Sequence, residues 1–222
     1  MTATSLNKRK PQQARSADTK ARILDAALKV FAKQGFDAAS IRDIADLAGA
    51  THPMITYHFG SKDELWRAAV EAMFDRIERE VVEPAARIEN DPILRFKLQT
   101  VLYVRYCAAH PEHAQITISE SVRGGERLTW MVKRFVKRNH AVMIPEIKLM
   151  MQLGVLPKAS VVGMLYALAG MCQLPFVIAR EADIAFDADL FAEKAIRQHT
   201  DVVFQLLFRE PYSDTLKFSP QN

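Results

Sequence analysis

An all-α fold is what this sequence predicts, and three observations predict it. No stretch sustains the period-two alternation of a half-buried strand, and no Asn-Gly or Asp-Gly pair offers a hairpin turn. Apolar residues recur instead at helical period, as Ile41, Ile44, Ala45 and Ala48 do. Prolines and glycines punctuate these segments, with Pro92, Pro111 and Pro157 near starts and Gly49, Gly124-Gly125 and Gly154 near breaks.

Taken in order, helices are expected at about 18–34, 40–48, 51–58, 62–88, 92–109, 112–122, 126–153, 158–181 and 187–208. In the first, Ile23, Leu24, Ala27, Leu28 and Phe31 form an apolar stripe that stops at Gly35-Phe36. Ser40 caps the second and Asp43 places an acid in its first turn, while Gly49 supplies a left-handed stop. Thr51 caps the third, with Pro53 in the first turn, where a missing N–H costs little. Ile55 and Phe59, four apart, point inward and leave His52, Met54, Thr56, Tyr57 and His58 outward or on the flanks. Ser61 and Glu64 form a capping box that opens the fourth. Pro84 kinks or ends that helix, and Pro145 kinks the seventh. The uncharged run from Ala159 to Ala179 is long enough to suggest a membrane span, but Gln173 and Pro175 interrupt it, and no membrane partner is expected.

Composition narrows the class. The chain has 222 residues, 49% of them hydrophobic, enough for a substantial core. The net charge of +4 is unevenly placed: residues 1–22 hold six basic side chains against Asp18 alone, so the whole excess lies in an N-terminal arm. Such an arm attracts a polyanion in a salt-sensitive, sequence-independent way. A solvated tail is the plainer reading, and adjacency to the next motif turns it toward DNA. Cys107 and Cys172, each among apolar residues, suit a reduced cytosol as small buried hydrophobes. No apolar segment follows the basic residues, so no signal peptide is expected and the location expected is cytoplasmic.

A short helix with an inward apolar face, a glycine turn and a second short helix that displays polar and aromatic groups make a DNA-reading helix-turn-helix. This segment resembles the DNA-binding domain of the tetracycline-repressor (TetR) family of bacterial transcription regulators. The resemblance is carried by Ser40, Ile41, Arg42, Ile44, Ala45, Ala48 and Gly49, then by Tyr57-His58-Phe59-Gly60-Ser61-Lys62-Asp63-Glu64-Leu65. Thr56 stands where the family more often has an aromatic. Further on, Arg105-Tyr106-Cys107-Ala108-Ala109-His110-Pro111-Glu112, Ile118-Ser119-Glu120, Arg127-Leu128-Thr129-Trp130 and Leu174-Pro175-Phe176 look like landmarks of the family's larger domain. The resemblance implies an arm over 1–17, a DNA-binding domain over 18–65, a helical effector-binding and dimerisation domain over 66–210, and a tail over 211–222. It implies a regulator, most simply a repressor released from double-stranded operator DNA by a small hydrophobic effector.

Candidate DNA contacts follow. Thr51, His52 and Pro53 open the recognition helix, the end that meets base edges. Arg42 can grip a guanine bidentately, or instead pair with Asp46 four residues on. Tyr57, His58 and Lys62 match the family's phosphate clamps, with Thr56 beside them and Ser40 both capping and donating. For Tyr57, packing against the first helix is the rival reading. In the larger domain Phe96, Tyr103, Tyr106, Trp130, Met131, Phe135, Met164 and Met171 offer an aromatic and methionine lining for an apolar ligand, though such stripes are also ordinary core. Arg105 answers an anionic ligand or an acid such as Glu120. Gly163, Ala167 and Gly170 give one late helix a small-residue face. Phe191, Ala195, Val202 and Leu206, with Ala192, Ile196, Val203 and Leu207, give the last helix a wide apolar stripe. Two copies of this pair, at about 158–181 and 187–208, would form the four-helix interface of a homodimer.

No nucleophile elbow, metal-binding His-Glu-x-x-His helix or glycine-rich phosphate loop is present, so neither an enzyme nor a cofactor is expected. His110 and His113, three apart, are weak as a metal pair. The alternative function is a helical small-molecule-binding or hydrolytic protein with a vestigial helix-turn-helix.

Overall fold

A computed structural model describes residues 9–209, with side chains from Ser16 onward. These residues are all-α: no strand occurs among them. They form two compact units. Unit 1 runs to Asp75 and takes in Gln115–Val122; unit 2 holds Arg76–Ala114 and everything from Arg123 on.

In unit 1, α1 (Arg9–Ala38) bends at Gly35, whose φ of 75° lies in the left-handed region. The helix starts at Arg9, well before the expected position 18, so residues 9–17 of the basic arm are helical; residues 1–8 lie outside the described residues. Its stripe of Ile23, Ala27, Leu28 and Phe31 is buried. Against it stand α2 (Ile41–Ala48) and α3 (His52–Phe59), which bury Ile44, Ala45 and Ala48 and, from α3, Ile55 and Phe59. Gly49 ends α2 in the left-handed conformation, φ 59°, with backbone N–H groups closing onto Ala45 and Asp46 carbonyls. Helix α4 (Lys62–Ile77) contributes Leu65, Trp66, Ala69 and Val70 to this core. Its capping box forms: Glu64 N–H donates to Ser61 Oγ at 3.1 Å and Ser61 N–H to Glu64 Oε2 at 3.0 Å.

Helix α4 carries residues of both units, since its last turn begins unit 2. It does not end at Pro84. A π-helical turn (Glu78–Val82) takes the chain on into α5 (Glu83–Ala86), where Pro84 sits in the first turn. Proline has no N–H to donate and its ring crowds the preceding turn, and a widened turn relieves that clash. Next come α6 (Pro92–Ala109), capped by Asp91 through Leu94 N–H at 2.9 Å, and α7 (Pro111–Arg123). Helix α8 (Glu126–Met131) runs through a second π-helical turn (Val132–Val136) into α9 (Lys137–Gln152), so the long helix expected over 126–153 is one rod with a wide turn.

The last third departs from expectation. The span over 158–181 is α10 (Val161–Val177), then a bend of 59° and a separate helix α11 (Ala179–Phe186). No single helix among the described residues is long and apolar enough to cross a membrane. Asp187, at φ 51°, ends α11, and Asp189 Oδ1 accepts the Phe191 N–H at 2.9 Å. Helix α12 (Glu193–Phe208) therefore begins six residues after the expected 187, and Phe191 and Ala192 precede it instead of belonging to its stripe. Aspartate turn chemistry outweighed the apolar pattern there. Pro175 lies inside α10 and cannot donate to the Met171 carbonyl; His199 Nε2 from α12 lies 2.9 Å from that oxygen and takes the missing donor's place. The core of unit 2 gathers Phe96, Val104, Tyr106, Ile147, Met150, Met164, Leu168, Phe176, Val203 and Leu207.

Candidate DNA interface and effector chamber

The helix-turn-helix is built so that α2 is tied down and α3 is displayed. Ser40 Oγ accepts the Asp43 N–H at 3.0 Å, closing the start of α2. At the other end Arg22 Nη1 donates to the Ala48 carbonyl at 2.6 Å, satisfying an orphan acceptor with a charged donor. By composition Arg22 is only one of the arm's charges, and nothing in the local pattern connects residues 26 apart. Arg42 is exposed and, among the described residues, makes no ion pair with Asp46.

Thr51 occupies the N-cap of α3, but its side chain makes no capping bond, contrary to expectation. Its hydroxyl is exposed, beside exposed His52 and Pro53. Thr56 Oγ1 donates back to the His52 carbonyl at 3.2 Å. Tyr57 is 85% exposed, so the rival reading, packing on α1, does not hold. Its ring meets that of half-buried His58 edge-on at 5.3 Å. Lys62 is half-buried; its ammonium donates to the Asp37 carbonyl at 3.1 Å and lies 4.7 Å from the centre of the Phe36 ring. The start of α4 is closed by Glu64, whose Oε2 accepts from the Ser61 N–H at 3.0 Å and the Ser61 hydroxyl at 3.1 Å. Gly60 matters here, because at φ 75° a Cβ would come within 2.4 Å of Glu64 Oε2. The outward set is thus Thr51, His52, Pro53, Thr56 and Tyr57, joined by half-exposed Met54, while Ser40 and Lys62 are engaged within the unit.

In unit 2 the proposed lining divides. Phe96, Tyr106 and Met164 belong to the buried core, and Tyr103 and Met171 pack against it. Trp130, Met131 and Phe135 lie outside that cluster. Trp130 meets Phe135 edge-on at 5.5 Å and lines a shallow depression of about 450 Å³ with Gly125, Glu126, Thr129 and Lys133. Another, of about 280 Å³, is lined by Ile93, Lys97, Gly154, Val155, Pro157, Phe208 and Arg209. Arg105 pairs with Glu193, 2.7 Å away, and not with Glu120, which is itself buried. Sequence order hides that pairing, because 88 positions separate the two.

A buried polar group holds the corner between α6 and α7. His113 Nδ1 lies 2.8 Å from the Tyr106 hydroxyl. Burial pushes His113 down to about 4 and Tyr106 well up. Glu112 meets Arg76 Nη1 at 3.3 Å and His110 Nδ1 at 3.4 Å. Burial acts to raise its carboxyl, but the hydrogen bond from His110, a backbone N–H and the neighbouring charges outweigh it and hold it below its usual value. Burial raises both thiols, Cys172 to about 12, so neither is a ready nucleophile. His110 Nδ1 thus faces Glu112 and His113 Nδ1 the Tyr106 hydroxyl, while both rings lie against the Tyr106 ring.

An all-helical protein with a displayed second helix after a glycine turn is a helix-turn-helix protein. Residues 23–69 match the family model described as bacterial regulatory proteins, tetR family. The chain is 33% identical over 115 residues to the HTH-type transcriptional repressor NicS of Pseudomonas putida, covering 51% of this chain and 53% of that protein. It is 35% identical over 100 residues to the HTH-type transcriptional repressor KstR2 of Mycobacterium tuberculosis, covering 43% and 46%. The chain thus spans about half the length of the curated relatives it matches. Among solved structures, AibR in complex with isovaleryl coenzyme A and operator DNA superposes with a TM-score of 0.69 at 18% identity, over 87% of this chain and 100% of that one. The ketosteroid transcriptional regulator KstR2 of Mycobacterium tuberculosis does so with 0.65 at 18%, over 86% and 95%. Residues 23–69 are thus similar to the DNA-binding domain of the TetR family of bacterial regulatory proteins, and the helix-turn-helix lies within them.

Proposed function

We propose that this chain is a cytoplasmic, ligand-responsive transcriptional repressor that binds an inverted-repeat operator as a homodimer and leaves it when a small molecule occupies unit 2. The displayed face of α3 carries this reading. Tyr57, 85% exposed, stands beside exposed Thr51 and His52, so α3 presents hydroxyl, imidazole and phenol groups outward, the kinds of group that contact bases and phosphates. The named repressors among the relatives, and the operator complex of AibR, support DNA as that partner. In this reading His52 and Arg42 read bases, with Thr51 and Pro53 at the same base-facing end of α3, and Ser40, Thr56, Tyr57, His58 and Lys62 position the backbone, Lys62 by exchanging the Asp37 carbonyl for a phosphate. Residues 1–17 act as a basic arm ahead of the DNA-binding domain at 18–65, and 66–210 forms the effector and dimer domain.

Dimerisation is supported by the outward side of α10 and α12. Gly163 and Ala167 are exposed among Val162, Tyr166 and Leu174, with Tyr166 at 64%, and on α12 Val202 and Leu206 are exposed, the latter at 66%. Small residues let a partner helix approach and the flanking apolar groups give it area to bury. Because α4 carries residues of both units, a tilt of α4 is the coupling we assign. A ligand can weaken DNA binding only as far as it prefers the DNA-incompetent state, and DNA must weaken ligand binding by the same factor.

Selecting bound fragments from the source genome with purified protein, then repeating with cell extracts, tests this. An enriched inverted repeat that extract fractions release supports the reading. A chain that enriches no sequence over random DNA overturns it.

A further inference from the structure

Three residues on α6, Arg95, Gln99 and Tyr103, recur every four positions and so share one face. At helical rise the row spans about 12 Å. All three are half-buried, and each meets a polar or sulfur atom from another helix of unit 2. Arg95 Nε lies 3.3 Å from Glu146 Oε1 on α9. Gln99 Nε2 donates to Met143 Sδ, 3.2 Å away and one turn from Glu146. Gln173 on α10 donates to the Tyr103 hydroxyl. Tyr103, Met143 and Met171 pack against the apolar core, so this polar seam borders the unit's interior.

As packing, the seam is poor. Glu146 Oε2 is sealed from solvent and accepts no hydrogen bond. Gln99 spends an amide N–H on a thioether, among the weakest acceptors a side chain offers. A sealed carboxylate oxygen without a donor costs free energy that an apolar side chain of similar size would avoid. Methionine is the side chain most able to swing aside and release that amide.

We propose that this row is the polar end of the effector site, and that the effector is an apolar molecule carrying an N–H or O–H donor, an amine or an alcohol, and not a carboxylate. The inference rests on the reading that unit 2 binds the effector. Glu146 Oε2 accepts the donor; Gln99 turns from Met143 to the same group, its amide oxygen accepting from an ammonium or its N–H donating to a hydroxyl oxygen; the apolar portion lies along Tyr103 and Met171. Arg95 is already engaged by Glu146 and by the Ile88 carbonyl at 3.4 Å, and the Glu146 charge repels an anion.

Octylamine, octan-1-ol and octanoate share one chain and differ in head group. Titrated calorimetrically into the full chain, the amine and the alcohol should bind saturably and octanoate about tenfold more weakly. Glu146→Gln should weaken octylamine about tenfold while leaving octan-1-ol, which still finds an acceptor, within a few-fold. Gln99→Leu, which replaces an amide–sulfur contact by a carbon one and should fold, weakens both donors. Octanoate binding as tightly as octylamine, donor binding unchanged in both variants, or no binding by either donor probe would overturn the proposal. An extract compound that releases operator equally from wild type and both variants would overturn the row while leaving the effector reading standing.

Discussion

In unit 1 the histidines of α3 face outward: His52 is exposed and His58 half-buried beside the Tyr57 ring. In unit 2 His113 is sealed against the Tyr106 hydroxyl, and His199 is set on the backbone carbonyl that Pro175 leaves unpaired. The same ring serves opposite ends. A polar group turned to solvent needs no internal partner and is available for recognition. A sealed one must be satisfied within the fold, so its chemistry reports on stability. Substitutions and pH should therefore separate the two units cleanly.

The largest effect should come from protons. His113 takes up a proton near 6.5 when unfolded and near 4 when folded, so below neutrality the unfolded chain binds more protons and stability falls. At about 1.4 kcal/mol per unit, some ~3 kcal/mol present above pH 6.5 should be lost by pH 4. Glu112, held below its usual value, adds a loss that sets in only as pH drops through the carboxylate range. Urea unfolding across pH 4–7 measures this, and His113→Gln should flatten the slope between pH 6.5 and 4. An equal slope in that variant would show the ring is not sealed neutral.

Next in size is His199→Ala, which leaves the Met171 carbonyl without a donor. It should cost about 1–3 kcal/mol of unfolding free energy, and restoring the donor route with Pro175→Ala in the same chain should recover part of it. No recovery would break the link drawn between the proline and the histidine.

The outward set should do the reverse. His52→Ala and Tyr57→Ala should leave stability within about 0.5 kcal/mol. His52→Ala should cost roughly 1–3 kcal/mol on the best operator and relax one base preference. Tyr57→Ala should weaken operator and random DNA alike. Thermal melts with parallel DNA titrations read both, and a large melting shift for Tyr57→Ala would contradict its exposure.

The smallest effect contrasts the caps of two eight-residue helices. Ser40→Ala removes a made bond and should cost about 1 kcal/mol, whereas Thr51→Ala removes none and should cost only a few tenths. Equal costs would mean Thr51 caps α3 in solution.

Much of unit 1 was legible because its determinants are local. The stripe from Ile23 to Phe31, the Ser40 cap, the Gly49 stop and the Ser61–Glu64 box each lie within a turn or two of what they organise, where propensity and periodicity act. What escaped was long-range or hidden in turn chemistry. Arg22 on Ala48, Arg105 on Glu193 and His199 on Met171 join residues 26, 88 and 28 positions apart. The break at Asp187 opposed an apolar pattern that ran straight across it.

By itself the sequence determined that the chain is helical, which faces α1, α2 and α3 bury, and that a glycine turn sets a second short helix behind the first, because those are questions of period, cap and backbone freedom. Only the tertiary structure decided which polar groups are engaged and which are displayed. Lys62 is drawn onto the Asp37 carbonyl, the Thr51 hydroxyl makes no capping bond, and Trp130, Met131 and Phe135 are parted from Phe96 and Tyr106. The reason is that burial, and with it the need for a partner, depends on distances between residues remote in the chain, which no local pattern records.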